Sequence, residues 1–205
     1  MEQFATEEQQ VEAIKRFWKE NGIAIVVGAV IGLGGLWGWQ YYSDSQLAAK
    51  EAASQGYQDV VENLQADDGI AKAEAFLAEY ESTGYAAMTA LVLAAQEVEN
   101  NNLEAAQRHL QTAVASQDGA LKNVALLRLA RVQLALNNAQ AALDSVAKVE
   151  GDAFTAQVEE IKGDAFVVLA DFTKARLAYS AAVEADSANR LVKMKLDNLA
   201  ITAGS

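Results

Sequence analysis

GYAAMTALVLAAQEVENNNLEAAQRHLQTAVASQDG, running from Gly84 to Gly119, holds the pattern on which the reading of this chain turns. Asn100-Asn101-Asn102 divides it into two helix-length segments, and Ser82-Thr83-Gly84 and Gln117-Asp118-Gly119 close it at either end. Ala94 in the first segment is followed twelve residues later by Ala106, four further on by Leu110 and three beyond that by Ala113. Small residues at such intervals let two antiparallel helices cross closely, while the larger ones fill the gap between crossings. The pattern recurs along the chain. Val61, Ala94, Ala130 and Gly163 follow one another at intervals of 33, 36 and 33. Each leads to an alanine (Ala73, Ala106, Ala142, Ala175), then to Leu77, Leu110, Val146 or Tyr179, then to Tyr80, Ala113, Val149 or Ala182. Asp67-Asp68-Gly69, Asn137-Asn138 and Ala170-Asp171 supply turns inside the other units; Glu150-Gly151-Asp152 and Asp186-Ser187-Ala188-Asn189 supply turns between units.

This period and these positions resemble the tetratricopeptide repeat in a degenerate form. The consensus tryptophan is replaced by Tyr57, Ala90, Leu126 and Glu159, and the closing proline is absent throughout. The chain of 205 residues has no proline and no cysteine at all. The first absence, with abundant Ala, Leu, Gln and Glu, favours helix nearly everywhere; the second excludes disulfides, thiolate chemistry and a lipid-modified cysteine. The expected fold class is all-α, with one N-terminal transmembrane helix followed by a tetratricopeptide-like α-solenoid of helix pairs. Asn189 to Ala200 is expected to form a closing helix, with Leu191, Met194 and Leu199 covering the open apolar side of the last repeat.

Toward the N-terminus, the stretch GIAIVVGAVIGLGGLWGW from Gly22 to Trp39 is almost wholly apolar, and no charged residue occurs between Asn21 and Ser43. A helix of about 20 residues crosses the hydrocarbon core, so this stretch is long enough to span. Phe17 and Trp18 precede it and Trp37, Trp39, Tyr41 and Tyr42 end it, positions that suit aromatic rings at the two interfaces. A cleaved signal peptide fits poorly, because the preceding region is long, carries five acids and leads to no small-x-small site. Lys15, Arg16 and Lys19 lie just before the span, against Lys50 alone in the first twenty residues after it, and this bias keeps the N-terminus inside. The expected organisation is residues 1–21 as a cytoplasmic tail, partly helical; 22–42 as the transmembrane helix; and 43–205 as an external repeat domain. Thr6 and Gln9 resemble a capping box, and Val11, Ile14 and Trp18 form an apolar stripe, so the tail is either a helix lying on the inner leaflet or, more simply, an extension of the span. Gly28 with Gly32, and Gly34 with Gly38, form two G-x-x-x-G pairs; they either pack against a second transmembrane helix or are merely tolerated.

Several functions are excluded. A formal net charge of -12 leaves no basic face for a phosphate backbone, which removes nucleic acid as a partner. His109 is the sole histidine, so no histidine triad or multi-histidine metal site can form within one chain, and it is expected on a solvated helix surface. The carboxylate pairs Glu7-Glu8, Asp67-Asp68 and Glu159-Glu160 are expected at helix starts, turns and polar faces. No phosphate loop, nucleophile elbow or calcium loop is present. The chain is therefore expected to be no enzyme and to hold no metal or cofactor. In a stack of this kind the first helix of each pair lines a concave groove. The candidate protein-binding positions are Met88, Leu91, Ala95 and Val98; Leu127, Arg131 and Leu134; and Glu160, Asp164 and Val167, although individual leucines in this set serve equally well as packing between repeats.

Residues 10–18 (QVEAIKRFW), Glu20-Asn21-Gly22, Gly38-Trp39, residues 127–133 (LRLARVQ) and Met194-Lys195-Leu196-Asp197-Asn198-Leu199 together resemble the YfgM-type ancillary subunit of the bacterial SecYEG translocon. The resemblance covers essentially the whole chain and rests on the combination of basic tail, single span and degenerate repeats. It implies a single-pass protein of a bacterial inner membrane with its repeat domain in the periplasm. The implied partners are the SecYEG translocon, the membrane-anchored peptidyl-prolyl isomerase-like chaperone PpiD and secreted client polypeptides, with inner membrane lipid around the span. It implies no catalytic residues. The alternative is a tetratricopeptide-like adaptor in another envelope complex, such as cell division or outer-membrane assembly.

Overall fold

The computed structural model describes residues 7–81, 83–115 and 119–202. Thr6, Ser82, Gln117 and Asp118, named above as cap and turn residues, lie outside the described residues, as do the side chains of Glu7, Glu8 and Gln9. Among the described residues there are nine α-helices, one 3-10 turn and no strand. They are α1 (Glu7–Asn63), α2 (Gly69–Glu79), α3 (Gly84–Glu99), α4 (Leu103–Val114), α5 (Gly119–Ala135), α6 (Ala139–Val146), α7 (Thr155–Val168), α8 (Phe172–Ala185) and α9 (Arg190–Thr202).

The chain divides into two units, one up to Ala52 and one from Ala53 onward. In the first unit α1 is long and apolar enough to cross a membrane, with the apolar window wholly unburied. The sequence from Glu7 to Gly22 continues the same helix, so the tail extends the span with no break between them. Phe17, Trp18, Trp37, Trp39, Tyr41 and Tyr42 are all exposed.

In the second unit each helix packs on the next in chain order from α2 to α9, and the first helices of successive pairs also touch, α3 on α5 and α5 on α7. That is the layout of a solenoid. The core is correspondingly divided into four clusters, one per junction: Val60, Leu64, Ala73, Phe76 and Leu93; Ala90, Leu91, Ala94, Ala106, Leu110 and Leu129 among others; Leu127, Ala130, Ala142, Val146 and Ile161; and Ala175, Tyr179, Ala182, Val192 and Leu199. The alanines of the second helices, Ala73, Ala106, Ala142 and Ala175, are fully buried, as the close-crossing reading requires. Gly163 takes this logic furthest: a Cβ there would collide with the edge of the Tyr179 ring.

Inside the helix pairs, three turns share one backbone form. Asn101, Asn137 and Ala170 adopt φ of 58°, 62° and 57°. In each, the left-handed residue donates to a carbonyl three residues back and the next residue to one five back (Asn102 to Glu97, Asn138 to Gln133, Asp171 to Phe166), which ties off the helix end. The following helices are capped by Asn138 Oδ1 accepting from the Ala141 N–H and Asp171 Oδ1 accepting from the Lys174 N–H. Thr83 Oγ1 accepts from the Ala86 N–H and starts α3.

Three expectations are corrected. Val61 is exposed, and the first pair is instead closed by Ala53, Val60 and Leu64, because an aromatic group of Tyr57, Phe76, Tyr80 and Tyr85 fills the space that alanines leave in later pairs. On α9, Leu191 and Met194 are exposed; Val192 and Leu199 are buried and Leu196 half-buried, giving a core face at spacing i, i+4, i+7. His109 is buried, because it shares the α4 stripe of Ala105, Ala106, Leu110 and Ala113.

Candidate functional site

An apolar cleft of about 460 Å³ opens between α3 and α5, with α4 contributing its far side. Its lining includes Ala94, Ala95 and Val98 from α3, Leu103 and Leu110 from α4, and Val132 and Ala135 from α5, with Glu99, Arg128 and Arg131 at the charged positions. The repeat rhythm explains the cleft. Ala94 and Val132 are buried to make the helix crossings, and the small side chains of Ala95 and Ala135 leave the space above them unfilled. Val98 remains 44% exposed at the mouth, an apolar side chain left open among the described residues.

The structure brings together Ala95, Val98 and Arg131 from the positions expected to line a groove. Leu91 is buried at 8% exposure in the cluster that also forms the cleft floor, Leu127 at 4% in the next cluster, and Leu134 is half-buried against the latter. Met88 is half-buried, and Val167 is exposed near the end of α7, outside the cleft. Arg128, Leu103 and Ala135 line the cleft but were not singled out by sequence. Arg128 and Arg131 lie three residues apart on one helical face, so Arg128 falls beside Arg131 although it stands outside the repeat positions that marked the groove.

Glu160 and Asp164, expected to line the groove in the fourth repeat, are bound from within. Lys195 Nζ of α9 lies 2.8 Å from Glu160 Oε1 and 2.8 Å from both Asp164 carboxylate oxygens, and the Tyr179 hydroxyl donates to Asp164 Oδ1 at 2.6 Å. Burial pulls the Lys195 ammonium down, but the hydrogen bonds to Asp164 and Glu160 outweigh it and hold the group above its ordinary value. Burial and the Asp164 bond push the Tyr179 phenol upward. Glu159, expected on a solvated face, is likewise paired, with Lys162 at 2.6 Å. Asp67 and Asp68 are exposed at their turn. His109 Nε2 stands 3.8 Å from Glu74 Oε1; burial lowers its basicity, against the opposing pull of Glu74 and of Glu97, itself buried in α3.

In the first unit, Gly28, Gly32, Gly34 and Gly38 have open space where a Cβ would stand. Lys15, Arg16 and Lys19 are exposed on α1.

A ladder of paired helices with an apolar cleft on the first-helix face, joined in sequence to a helix able to cross a membrane, defines a membrane-associated tetratricopeptide-like repeat protein. The family profile described as "Tetratricopeptide repeat-like domain" matches residues 15–201. Similar to the chain along nearly its full length are proteins called "Ancillary SecYEG translocon subunit". The one from Escherichia coli (strain K12) is 40% identical over 98% of this chain and 100% of its own. Those from Aggregatibacter actinomycetemcomitans and Haemophilus influenzae are 35% and 33% identical, each over 94% of this chain and 97% of their own. The chain belongs to this YfgM-type family of tetratricopeptide-like membrane proteins.

Proposed function

We propose that this protein is a non-enzymatic accessory subunit of the Sec translocon, held in the bacterial inner membrane by α1, with the repeat unit in the periplasm. There it links the channel to a membrane-anchored chaperone of the PpiD kind and to secreted clients. The supporting observation is the open apolar cleft between α3 and α5 in a chain whose relatives carry the name of translocon subunits. Confinement by a span raises the effective concentration of that cleft for any partner anchored in the same membrane, so a modest contact area suffices for occupancy.

The test is affinity purification of the full chain in mild detergent. Channel subunits and the isomerase-like chaperone are expected with the native chain. The double variant Val98→Glu, Arg131→Glu, both changes at exposed positions, is expected to remain helical and lose the chaperone. Recovery of components of another envelope complex, without channel subunits, would refute the reading.

A further inference from the structure

The chemistry of the cleft points to the kind of segment it holds; this rests on the reading above, that the cleft is a protein-binding surface. In a chain of net charge -12 the cleft is bordered by two arginines, Arg128 and Arg131, on the α5 side. Both are exposed, and among the described residues neither enters an ion pair or a side-chain hydrogen bond. The α3 side of the same cleft carries Glu99. Between the two lies an apolar floor of Ala94, Leu110 and Val132.

We infer that the cleft takes a partner protein segment combining an apolar anchor side chain with carboxylates on one side of it, oriented so that the carboxylates face Arg128 and Arg131 and lie away from Glu99. A guanidinium presents a planar fork that matches a carboxylate with two hydrogen bonds, and two such forks one helical turn apart suit an acidic stretch rather than a single acid. The apolar floor supplies the area that such a segment buries, and the charges set its direction and the speed of encounter. The net negative charge of the chain disfavours the same segment over most of the remaining surface. A second copy of the chain is a poorer occupant, since two chains each of charge -12 repel one another.

The test is selection from a random peptide library displayed on phage, against the full chain held in nanodiscs of phosphatidylcholine. Enrichment of peptides that combine Leu, Ile, Val or Phe with two or more Asp or Glu is expected. Their capture should fall about tenfold or more in Arg128→Glu, Arg131→Glu, weaken with added salt, and rise in Glu99→Gln. Selection repeated on the charge-reversed variant should favour Lys and Arg, a readout that simple unfolding would not produce. Enrichment of basic or uncharged peptides on the native chain, acidic peptides whose capture ignores both arginines, or no enrichment would overturn the inference. So would concentration-dependent dimerisation that Val98→Glu abolishes, because the occupant would then be a second copy. Failure here with channel subunits still copurifying removes only the acidic-segment inference; loss of channel copurification from the native chain removes the broader reading.

Discussion

Ala170 occupies a left-handed backbone position that its counterparts in the two preceding units fill with Asn101 and Asn137. A side chain without a polar tip is disfavoured there, whereas glycine carries no such penalty and asparagine bonds locally to its own backbone. Ala170→Gly and Ala170→Asn are therefore expected to stabilise the unit by about 0.5–1 kcal/mol, and Asn101→Ala to destabilise it by a similar amount. Urea unfolding of the full chain in detergent, followed by helicity, measures both. His109 makes a second case. Its folded-state pKa lies below the ordinary value, chiefly through burial, so the unfolded chain binds the proton more readily. Stability is complete above about pH 6.5 and declines as the pH falls from there toward the lower folded-state value. His109→Gln should flatten that decline, and an unchanged slope between pH 7 and 5 would contradict it. The burial was legible: 105, 106, 109, 110 and 113 form one helical stripe. A histidine flanked in sequence by Arg108 reads as a surface residue only if its immediate neighbours are weighed above its neighbours at three and four.

At the scale of the helices, the alanine rhythm predicted the second helices well, because a buried alanine at a close crossing is forced by geometry. The first pair escaped it. There Tyr57 and Tyr85 lie with ring centroids 5.7 Å apart and Phe76 stacks on Tyr80 at 4.7 Å, with Gly56 opening room for Phe76. Aromatic packing of this sort follows no fixed interval, so no repeat template finds it. The polar clamps escaped for a related reason: Asn123 exchanges two hydrogen bonds with the backbone of Glu150, at 2.8 and 3.1 Å, across 27 residues of sequence. On α9 Leu199 was placed correctly, but Leu191 and Met194 were taken for the core face that Val192 and Leu196 supply, since a short helix with apolar residues on two faces leaves its packed side open to either reading. Two expectations test these contacts. Gly163→Val should cost about 1–3 kcal/mol by forcing the Tyr179 ring aside, and should cost much less when made in a Tyr179→Ala background, which is itself destabilised by the lost ring. Lys195→Ala should cost roughly 1–3 kcal/mol, less than a fully buried pair would, because it leaves Glu160 and Asp164 facing each other without their shared cation while water still reaches part of the site. Denaturant midpoints of the single and paired variants decide both.

Across the whole molecule, the sequence contains two solvents' worth of physics. The apolar window of α1 has no buried residue, whereas the repeat unit closes four cores in succession, each drawing only on neighbouring helices. An unburied apolar window of such length is stable only where lipid replaces protein contacts, since α1 satisfies its own backbone groups and asks nothing of water. The orientation proposed above rests on the cations near its ends: Lys15, Arg16 and Lys19 precede the apolar stretch, Lys50 stands alone soon after it, and cations of this kind favour the cytoplasmic side. The native chain lacks cysteine, so Gln10→Cys and Ala120→Cys each create a single reporter. In intact cells, with the outer membrane made permeable, a charged maleimide should label residue 120 and spare residue 10 until the inner membrane is broken. Labelling of residue 10 with protection of residue 120 would place the cleft among cytoplasmic partners and end its assignment to the exit side of the channel. Reversing the cations, with Lys15→Glu, Arg16→Glu and Lys19→Glu together, should produce a mixed population in the same assay, because the remaining bias toward either orientation is then small.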